Sequence, residues 1–118
     1  MPSLRILTHA WRAYRRNLRS WKEEPEVPYL KHLLAGAPNC LHVGASDGRH
    51  SYSMAAVAPG ARIWAFEPSQ FAYDVLRTTI AWHGLKARVT PVHAAASDAP
   101  GEMLLVTPRK SSGRMGRA

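Results

Sequence analysis

The residues best suited to chemistry are Gly44, Gly48 and Glu67, which stand in the order expected of a nucleotide-binding site. The apolar run Leu41–Val43 enters a short turn between the two glycines, and helix-like residues follow. Glycine lets the backbone bend sharply and lets a ligand approach the main chain. Amide groups at the start of the next helix would then face the ligand. Such turns also arise for packing reasons, so the glycines alone are a weak signal.

A second apolar run, Ile63–Phe66, is followed by Glu67. In Rossmann-like folds a ribose-binding acid stands about 20 residues after the glycines, and Glu67 lies at about this distance. A carboxylate suits this task because it only accepts hydrogen bonds and can engage two hydroxyls. Pro68 restricts the backbone of Glu67 to extended conformations, which directs the side chain off the strand end. The alternative is a solvated loop acid, and the order and spacing favour ribose binding.

The elements that must position these residues alternate between strands and helices. Apolar runs predict strands, and apolar residues at helical spacing predict helices. The predicted strands are Cys40–Val43, Ile63–Phe66, Val89–Val92 and Met103–Val106, and the predicted helices are Ser3–Lys22, Tyr29–Ala35, Arg49–Ala58 and one that begins after Ser69 and ends at Gly84. Strands separated by helices of this length indicate a parallel sheet with helical crossovers. We therefore expect an α/β fold.

Three motifs resemble those of FkbM-type methyltransferases, enzymes that use S-adenosyl-L-methionine. Val43–Gly48 is similar to the motif V-G-A-N-x-G, and Ala65–Pro68 matches the motif A-F-E-P. Ala95–Asp98 followed by Gly101 matches a third motif, A-x-S-D-x-x-G. The resemblance covers about residues 38–107. It favours a methyltransferase over a nicotinamide-dependent dehydrogenase, because the fingerprint G-x-G-x-x-G is absent.

The resemblance implies a Rossmann-like class I methyltransferase fold, with a partial parallel sheet, flanking helices and a preceding N-terminal helix. It implies that the methionine and ribose side of the cofactor is wrapped by Gly44, Ala45, Ser46 and Gly48. Glu67 would hold the ribose hydroxyls, with Pro68 beside the adenine. On the adenine side, after the third strand, would lie Ala95, Ser97 and Asp98. The implied reaction is O-methyl transfer to a small-molecule, glycan or lipid-linked acceptor.

The chain departs from the family pattern at several positions. His42 stands where the family usually has an acid; it could donate to the loop or cofactor, but a satisfied, half-buried histidine is favoured. Ser46 replaces an asparagine and keeps a hydrogen-bonding side chain. The family's later segment K-x-D-x-E-G-x-E, beside the acceptor, has no counterpart here. We therefore expect a truncated enzyme that binds cofactor weakly and catalyses nothing, with an open sheet edge that invites aggregation or partner pairing.

No general base can be named from the sequence. His50, His83 and His93 are interpreted as structural or solvent-facing, and no cluster has the spacing of a metal site. Cys40 is the only cysteine and sits in an apolar run, so we expect a buried, inert thiol.

The net charge of +8 is concentrated at the two ends of the 118-residue chain. Residues 1–22 carry six basic side chains and no acid, residues 109–118 carry four more, and the stretch between them is mildly acidic. The basic isoelectric point therefore does not predict specific nucleic-acid binding. Three regions follow: a basic amphipathic helix and linker helix over 1–37, the cofactor-binding part over 38–107, and a disordered basic tail over 108–118.

The N-terminal helix allows two interpretations. Its apolar stripe consists of Leu4, Leu7, Trp11, Tyr14, Leu18 and Trp21. The stripe could pack on the rest of the domain or on another subunit, or the helix could lie at a membrane interface with its arginines on anionic lipid. No secretory signal is recognised and no apolar run approaches about 18 residues. We therefore expect a cytoplasmic location, with peripheral membrane contact through residues 3–22 left open; an organelle transit peptide would also be rich in arginine and poor in acids.

A second class of function stays open alongside the methyltransferase. The chain could be a non-enzymatic binding module whose basic ends contact membrane or nucleic acid. A test of cofactor binding separates the two classes.

Overall fold

The computed structural model describes residues 2–106, and the structural statements below concern these residues. The predicted basic tail, residues 108–118, therefore lies outside the described residues. In chain order the elements are helix α1 (Leu4–Ser20), a 3-10 turn (Trp21–Glu23), helix α2 (Val27–Leu33), strand β1 (Asn39–Val43), helix α3 (Arg49–Val57), strand β2 (Arg62–Phe66), helix α4 (Gln70–Trp82) and strand β3 (Val89–Val92). The predicted α/β class is confirmed.

The three strands form one parallel sheet in the order β1-β2-β3. Val43 pairs with Phe66, and Phe66 pairs with Val92, so the strands end level with one another. The carboxyl ends of parallel strands are where Rossmann-like folds bind ligands. The residues that follow the strands, Gly44 and Glu67 among them, are thus brought to one edge of the sheet.

One face of the sheet forms the core together with α3 and α4. Ile63, Ala65 and Val89 point to this face and pack with Met54 of α3 and Leu76 of α4. Cys40 belongs to the same cluster as a buried free thiol, as the sequence predicts. Alternate residues of a strand point to opposite faces. The opposite face is largely uncovered in the described part of the chain, because its β1 side chains, Leu41 and Val43, are 68% and 60% exposed.

Helix α1 packs against α4 through small residues. Ser3 caps the helix by accepting a hydrogen bond from the Ile6 N–H at 3.2 Å. The buried residues are Ala10, Ala13 and Asn17. Of the two interpretations of the Leu/Trp stripe, packing on the rest of the domain does not hold for Leu4, Trp11 and Leu18, which are exposed in the described chain. The buried face lies roughly a quarter turn away around the helix, because small side chains let two helices approach closely.

Two other predictions about the elements need correction. Met103–Val106 forms no strand; its side chains are exposed and it pairs with neither edge of the sheet in the described residues. An apolar run forms a strand only when the fold brings it to a free strand edge. Helix α2 begins at Val27 rather than Tyr29, with Pro28 in its first turn, where a missing N–H costs nothing.

Among residues 2–106, no helix is long and apolar enough to cross a membrane.

Candidate functional site

The turn after β1 contains two glycines with different surroundings. Gly44 has φ +76° and Gly48 has φ +91°, values that side chains rarely tolerate. A Cβ added at Gly44 would meet no heavy atom within 4 Å, whereas one at Gly48 would lie 3.0 Å from Leu76 Cδ1. Gly48 therefore lets the start of α3 lie against α4. Gly44 leaves open space beside the backbone, where a ligand could approach.

The backbone of this turn is held by hydrogen bonds to neighbouring segments. The Phe66 carbonyl accepts from the N–H groups of both Gly44 and Ala45, each at 2.9 Å. The Gly48 N–H donates to the Ala45 carbonyl at 3.0 Å. The expectation that the loop amides face a ligand therefore needs correction, because these three already have acceptors within the protein. A ligand would instead meet the open side of Gly44 and the serine that follows Ala45.

Glu67 is buried, at 8% exposure, and joins two loops. Its Oε1 accepts from the Ser46 N–H and its Oε2 from the Ser69 N–H, both at 2.9 Å. Ser46 has φ +50°, the one non-glycine residue with positive φ in the described chain. The side chain is therefore not a solvated loop acid. Each carboxylate oxygen can accept more than one hydrogen bond, so both retain capacity for a hydroxyl donor.

A second acid in the turn, Asp47, connects it to helix α1. The Arg16 guanidinium donates to Asp47 through Nη1 at 2.7 Å and through Nη2 at 3.0 Å. The side chains of Arg16 and Asp47 are only 25% and 19% exposed. Bidentate arginine–carboxylate pairs are strong and geometrically specific. Asp47 Oδ1 also accepts from the Arg49 N–H at 3.3 Å. The glycine turn is thus fastened to α1 as well as to β2.

Sequence reasoning missed this pair because Asp47 occupies the variable position of the first motif. The signal that could have found it is an acid in the turn together with a helix, α1, that carries arginines and no acid.

The same arginine leads into a half-buried polar chain. Arg16 Nη2 donates to Asn17 Oδ1 at 2.9 Å, and Asn17 Nδ2 lies 3.2 Å from His83 Nε2. The rings of Tyr14 and Tyr52 lie 4.6 and 4.2 Å from the His83 ring. Burial, and secondarily the charge of Arg16, lower the pKa of His83 to about 4. The imidazole is therefore neutral at pH 7, and its Nε2 accepts from the asparagine amide.

His42 is likewise built into the packing between β1 and α3. Its Nδ1 lies 2.6 Å from Oγ of the buried Ser51. Burial, followed by the neighbouring His50, lowers the pKa of His42 to about 4. This geometry is that of a half-buried histidine with a satisfied nitrogen. The imidazole is thus a neutral group that contacts α3.

The residues considered after strand β3 are exposed to solvent. His93 Nε2 donates to the Pro68 carbonyl at 3.0 Å and its ring stacks on Tyr73 at 4.7 Å. Ser97 Oγ donates to Asp98 Oδ1 at 3.3 Å, and both residues are exposed, as is Ala95. Among residues 2–106, no hydrogen bond joins this last group to the glycine turn or to Glu67.

One group of potential metal ligands is found in the described residues. Single ligand atoms of Glu24, Glu26 and His50 all lie within 4.8 Å of one another. The sequence predicted no metal site. Glu24 and Glu26 lie beside the 3-10 turn and His50 lies in α3, so the three residues show no metal-ligand spacing along the chain. Arg49 Nη1 lies 3.1 Å from Glu24 Oε1, so one of the two carboxylates already holds a cation.

No protein-family model and no curated protein matches the chain. Among solved structures, the chain is similar to a protein assigned as a caffeoyl-CoA O-methyltransferase from Staphylococcus aureus, with a TM-score of 0.52 and 16% sequence identity. The match covers 56% of this chain and 32% of that one, so the chain corresponds to about a third of its neighbour's length. At this identity the similarity concerns the fold. The chain has the three parallel strands and flanking helices of a Rossmann-like methyltransferase fold.

Proposed function

We propose that this chain is the cofactor-binding part of an S-adenosyl-L-methionine-dependent methyltransferase of the FkbM type. The observation that carries the proposal is the hydrogen bond from the Ser46 N–H to Glu67 Oε1 at 2.9 Å. It holds the acid at the end of β2 directly against the turn that follows β1. Rossmann-like folds bind the ribose of a nucleotide between these two elements.

In this proposal the cofactor lies over the open side of Gly44, where a Cβ would meet nothing within 4 Å. The remaining lone pairs of Glu67 accept hydrogen bonds from the ribose hydroxyls. Pro68, whose carbonyl is held by His93, borders the adenine. Ala95, Ser97 and Asp98 close over the adenine from the exposed loop after β3. This last step requires the loop to approach Glu67.

When bound, S-adenosyl-L-methionine supplies a methyl group on a positively charged sulfur, open to in-line attack by a hydroxyl. The protein contributes chiefly by holding donor and acceptor in line, since such positioning removes much of the entropic barrier. Neither His42 nor His83 is proposed as a general base, because each is packed between elements with its nitrogen engaged.

The acceptor, a small molecule, glycan or lipid-linked group, belongs to a part of the enzyme that we propose lies outside residues 2–106. The matched region corresponds to 32% of the structural neighbour. The uncovered sheet face at Leu41 and Val43 is consistent with further structure packing there in an active enzyme. Whole-enzyme activity is accordingly a separate proposal from cofactor binding.

The test is calorimetric titration of the chain with S-adenosyl-L-methionine, using Gly44→Ala and Gly36→Ala as a matched pair. The two glycines have φ +76° and +74°, and neither has a heavy atom within 4 Å of an added Cβ. Each substitution therefore costs about 1–2 kcal/mol of folding free energy through the left-handed backbone alone. Only the methyl at residue 44 would stand in the proposed cofactor path. We expect Gly44→Ala to weaken binding by more than about tenfold and Gly36→Ala to leave it unchanged.

Equal effects of the two substitutions would contradict the proposed placement of the cofactor. Binding of NAD but not of S-adenosyl-L-methionine would favour a dehydrogenase-like module instead. Binding of neither would contradict the proposal that this chain binds the cofactor.

A further inference from the structure

We propose that helix α1 carries a binding pocket for a phosphate group, at a place distinct from the glycine turn. A cavity of about 380 Å³ opens on this helix. Its walls include Trp11, Arg12, Arg15, Arg16, Arg19 and Glu23. None of Gly44, Ala45 or Glu67 lines it. The proposal is therefore independent of the one made for the sheet edge.

The charges around this cavity are unbalanced. It is lined by four arginines and one acid. Among the described residues, Arg16 is the one member of the set with a carboxylate oxygen within 4.0 Å, that of Asp47; Arg12, Arg15 and Arg19 have none. Like charges collected on one concave surface repel one another. An anion in the cavity would relieve this repulsion.

The geometry of the donors selects for phosphate. Guanidinium groups present planar, forked N–H donors that match phosphate oxygens in pairs and remain charged at any physiological pH. The cavity differs from an evenly solvated basic face because it is concave and because one of its arginines, Arg16, is ordered. Arg16 is already fixed by its two bonds to Asp47, so part of the pocket is organised before a ligand arrives.

Trp11 gives the cavity an apolar, aromatic side. Its ring stacks on Tyr14 at 5.8 Å and meets the edge of Trp82 at 6.5 Å, so it is held in place while remaining 52% exposed. The Arg15 guanidinium lies 5.9 Å from the Trp11 ring centre. The pocket thus suits a phosphate carried on an apolar or planar body, which describes both a small phosphorylated molecule and a lipid headgroup.

The experiment uses the full chain and two probes. Inorganic phosphate is titrated by NMR at constant ionic strength, and vesicles of phosphatidylcholine with and without phosphatidic acid are tested by co-sedimentation. The test variant is Arg15→Gln with Arg19→Gln. The control is Arg62→Gln with Arg77→Gln, which removes the same charge from exposed positions outside the cavity. The four substituted arginines are all exposed, and circular dichroism verifies that both variants remain folded.

We expect phosphate to shift the amide resonances around Trp11. The test variant should weaken phosphate binding by about tenfold or more, and the control by less than about twofold. Vesicle binding that depends on phosphatidic acid and is lost in the test variant alone would identify the lipid headgroup as a source of the phosphate. Phosphate binding without vesicle binding would identify a small phosphorylated molecule.

Equal loss in both variants would show that net charge, rather than the cavity, attracts the anion and would overturn the proposal. Absence of binding by both probes would overturn it as well.

Discussion

Glu67→Gln tests the buried link between the glycine turn and the start of α4. In the native chain the two carboxylate oxygens accept separately from the N–H groups of Ser46 and Ser69, each at 2.9 Å. Glutamine has nearly the same shape, but it keeps one oxygen and replaces the other by an NH₂ group. One of the two backbone donors would therefore face another donor.

The expected loss of stability follows from these two bonds. A buried donor left without an acceptor costs about 1–3 kcal/mol, and a hydrogen bond to a charged acceptor is worth about 1 kcal/mol more than one to a neutral acceptor. With Glu67 only 8% exposed, water cannot readily replace the lost acceptor. We expect Glu67→Gln to lower the free energy of unfolding by about 2–4 kcal/mol.

Urea unfolding followed by circular dichroism measures this loss. Glu102→Gln is the matched control, because Glu102 is exposed and makes none of the hydrogen bonds found in the described residues; it should change the free energy by less than about 0.5 kcal/mol. A similarly small change for Glu67→Gln would refute the view that this carboxylate holds the two loops together. Because the carboxylate stabilises the turn, loss of cofactor binding in a Glu67 variant would be ambiguous, which is why the binding test above rests on glycine pairs.

Two further predictions concern the surroundings of the turn. Gly48→Ala should lower the free energy of unfolding by about 1–3 kcal/mol more than the strain of a left-handed backbone alone, because its Cβ would lie 3.0 Å from Leu76 Cδ1. Urea unfolding measures this excess by comparison with Gly36→Ala, which carries the backbone strain without a clash. Equal losses in the two variants would contradict the prediction. Because the folded-state pKa of His83 is about 4 and its ordinary value is 6.5, the unfolded chain takes up a proton first as pH falls, so stability should be lost between these two values. The loss of unfolding free energy between pH 7 and pH 5 should be smaller in His83→Gln than in the native chain, and the same as in the native chain in His32→Gln. If both variants lose as much as the native chain, His83 does not carry the effect.

The strands of this fold could be read from the sequence, because each is a short apolar run bounded by turn residues. Val89–Val92 has the predicted bounds, and β1 and β2 each extend one residue further than expected. Met103–Val106 has a similar composition but pairs with neither edge of the sheet in the described residues, so composition alone could not distinguish it. Pairing depends on where the chain travels between elements, which local pattern does not determine.

The packing face of α1 could not be read from hydrophobicity. The larger apolar residues form a Leu/Trp stripe that left two interpretations open, whereas the residues that α1 buries include Ala10 and Ala13. Close packing of two helices favours small residues at the point of closest contact, and a hydrophobic pattern does not show where that point is.

The site was predictable in its order along the chain and less so in its contacts. Motif spacing placed Glu67 at a strand end, but not against the Ser46 and Ser69 amides, because those donors belong to two separate loops. The Arg16–Asp47 pair joins residues 31 positions apart and depends on how α1 docks. Side-chain pairs of this kind follow from tertiary structure.

The phase of the hydrogen bonds in β1 has a consequence for amide hydrogen exchange. The Gly44 N–H donates toward β2, to the Phe66 carbonyl, and along a parallel strand alternate residues direct their N–H groups to opposite sides. Leu41 and Val43 therefore direct theirs away from β2, to the edge that is unpaired in the described chain. Deuterium should enter these two amides quickly and those of Cys40 and His42 slowly. A partner that adds a strand to this edge would reveal itself by slowing exchange at every second residue of β1.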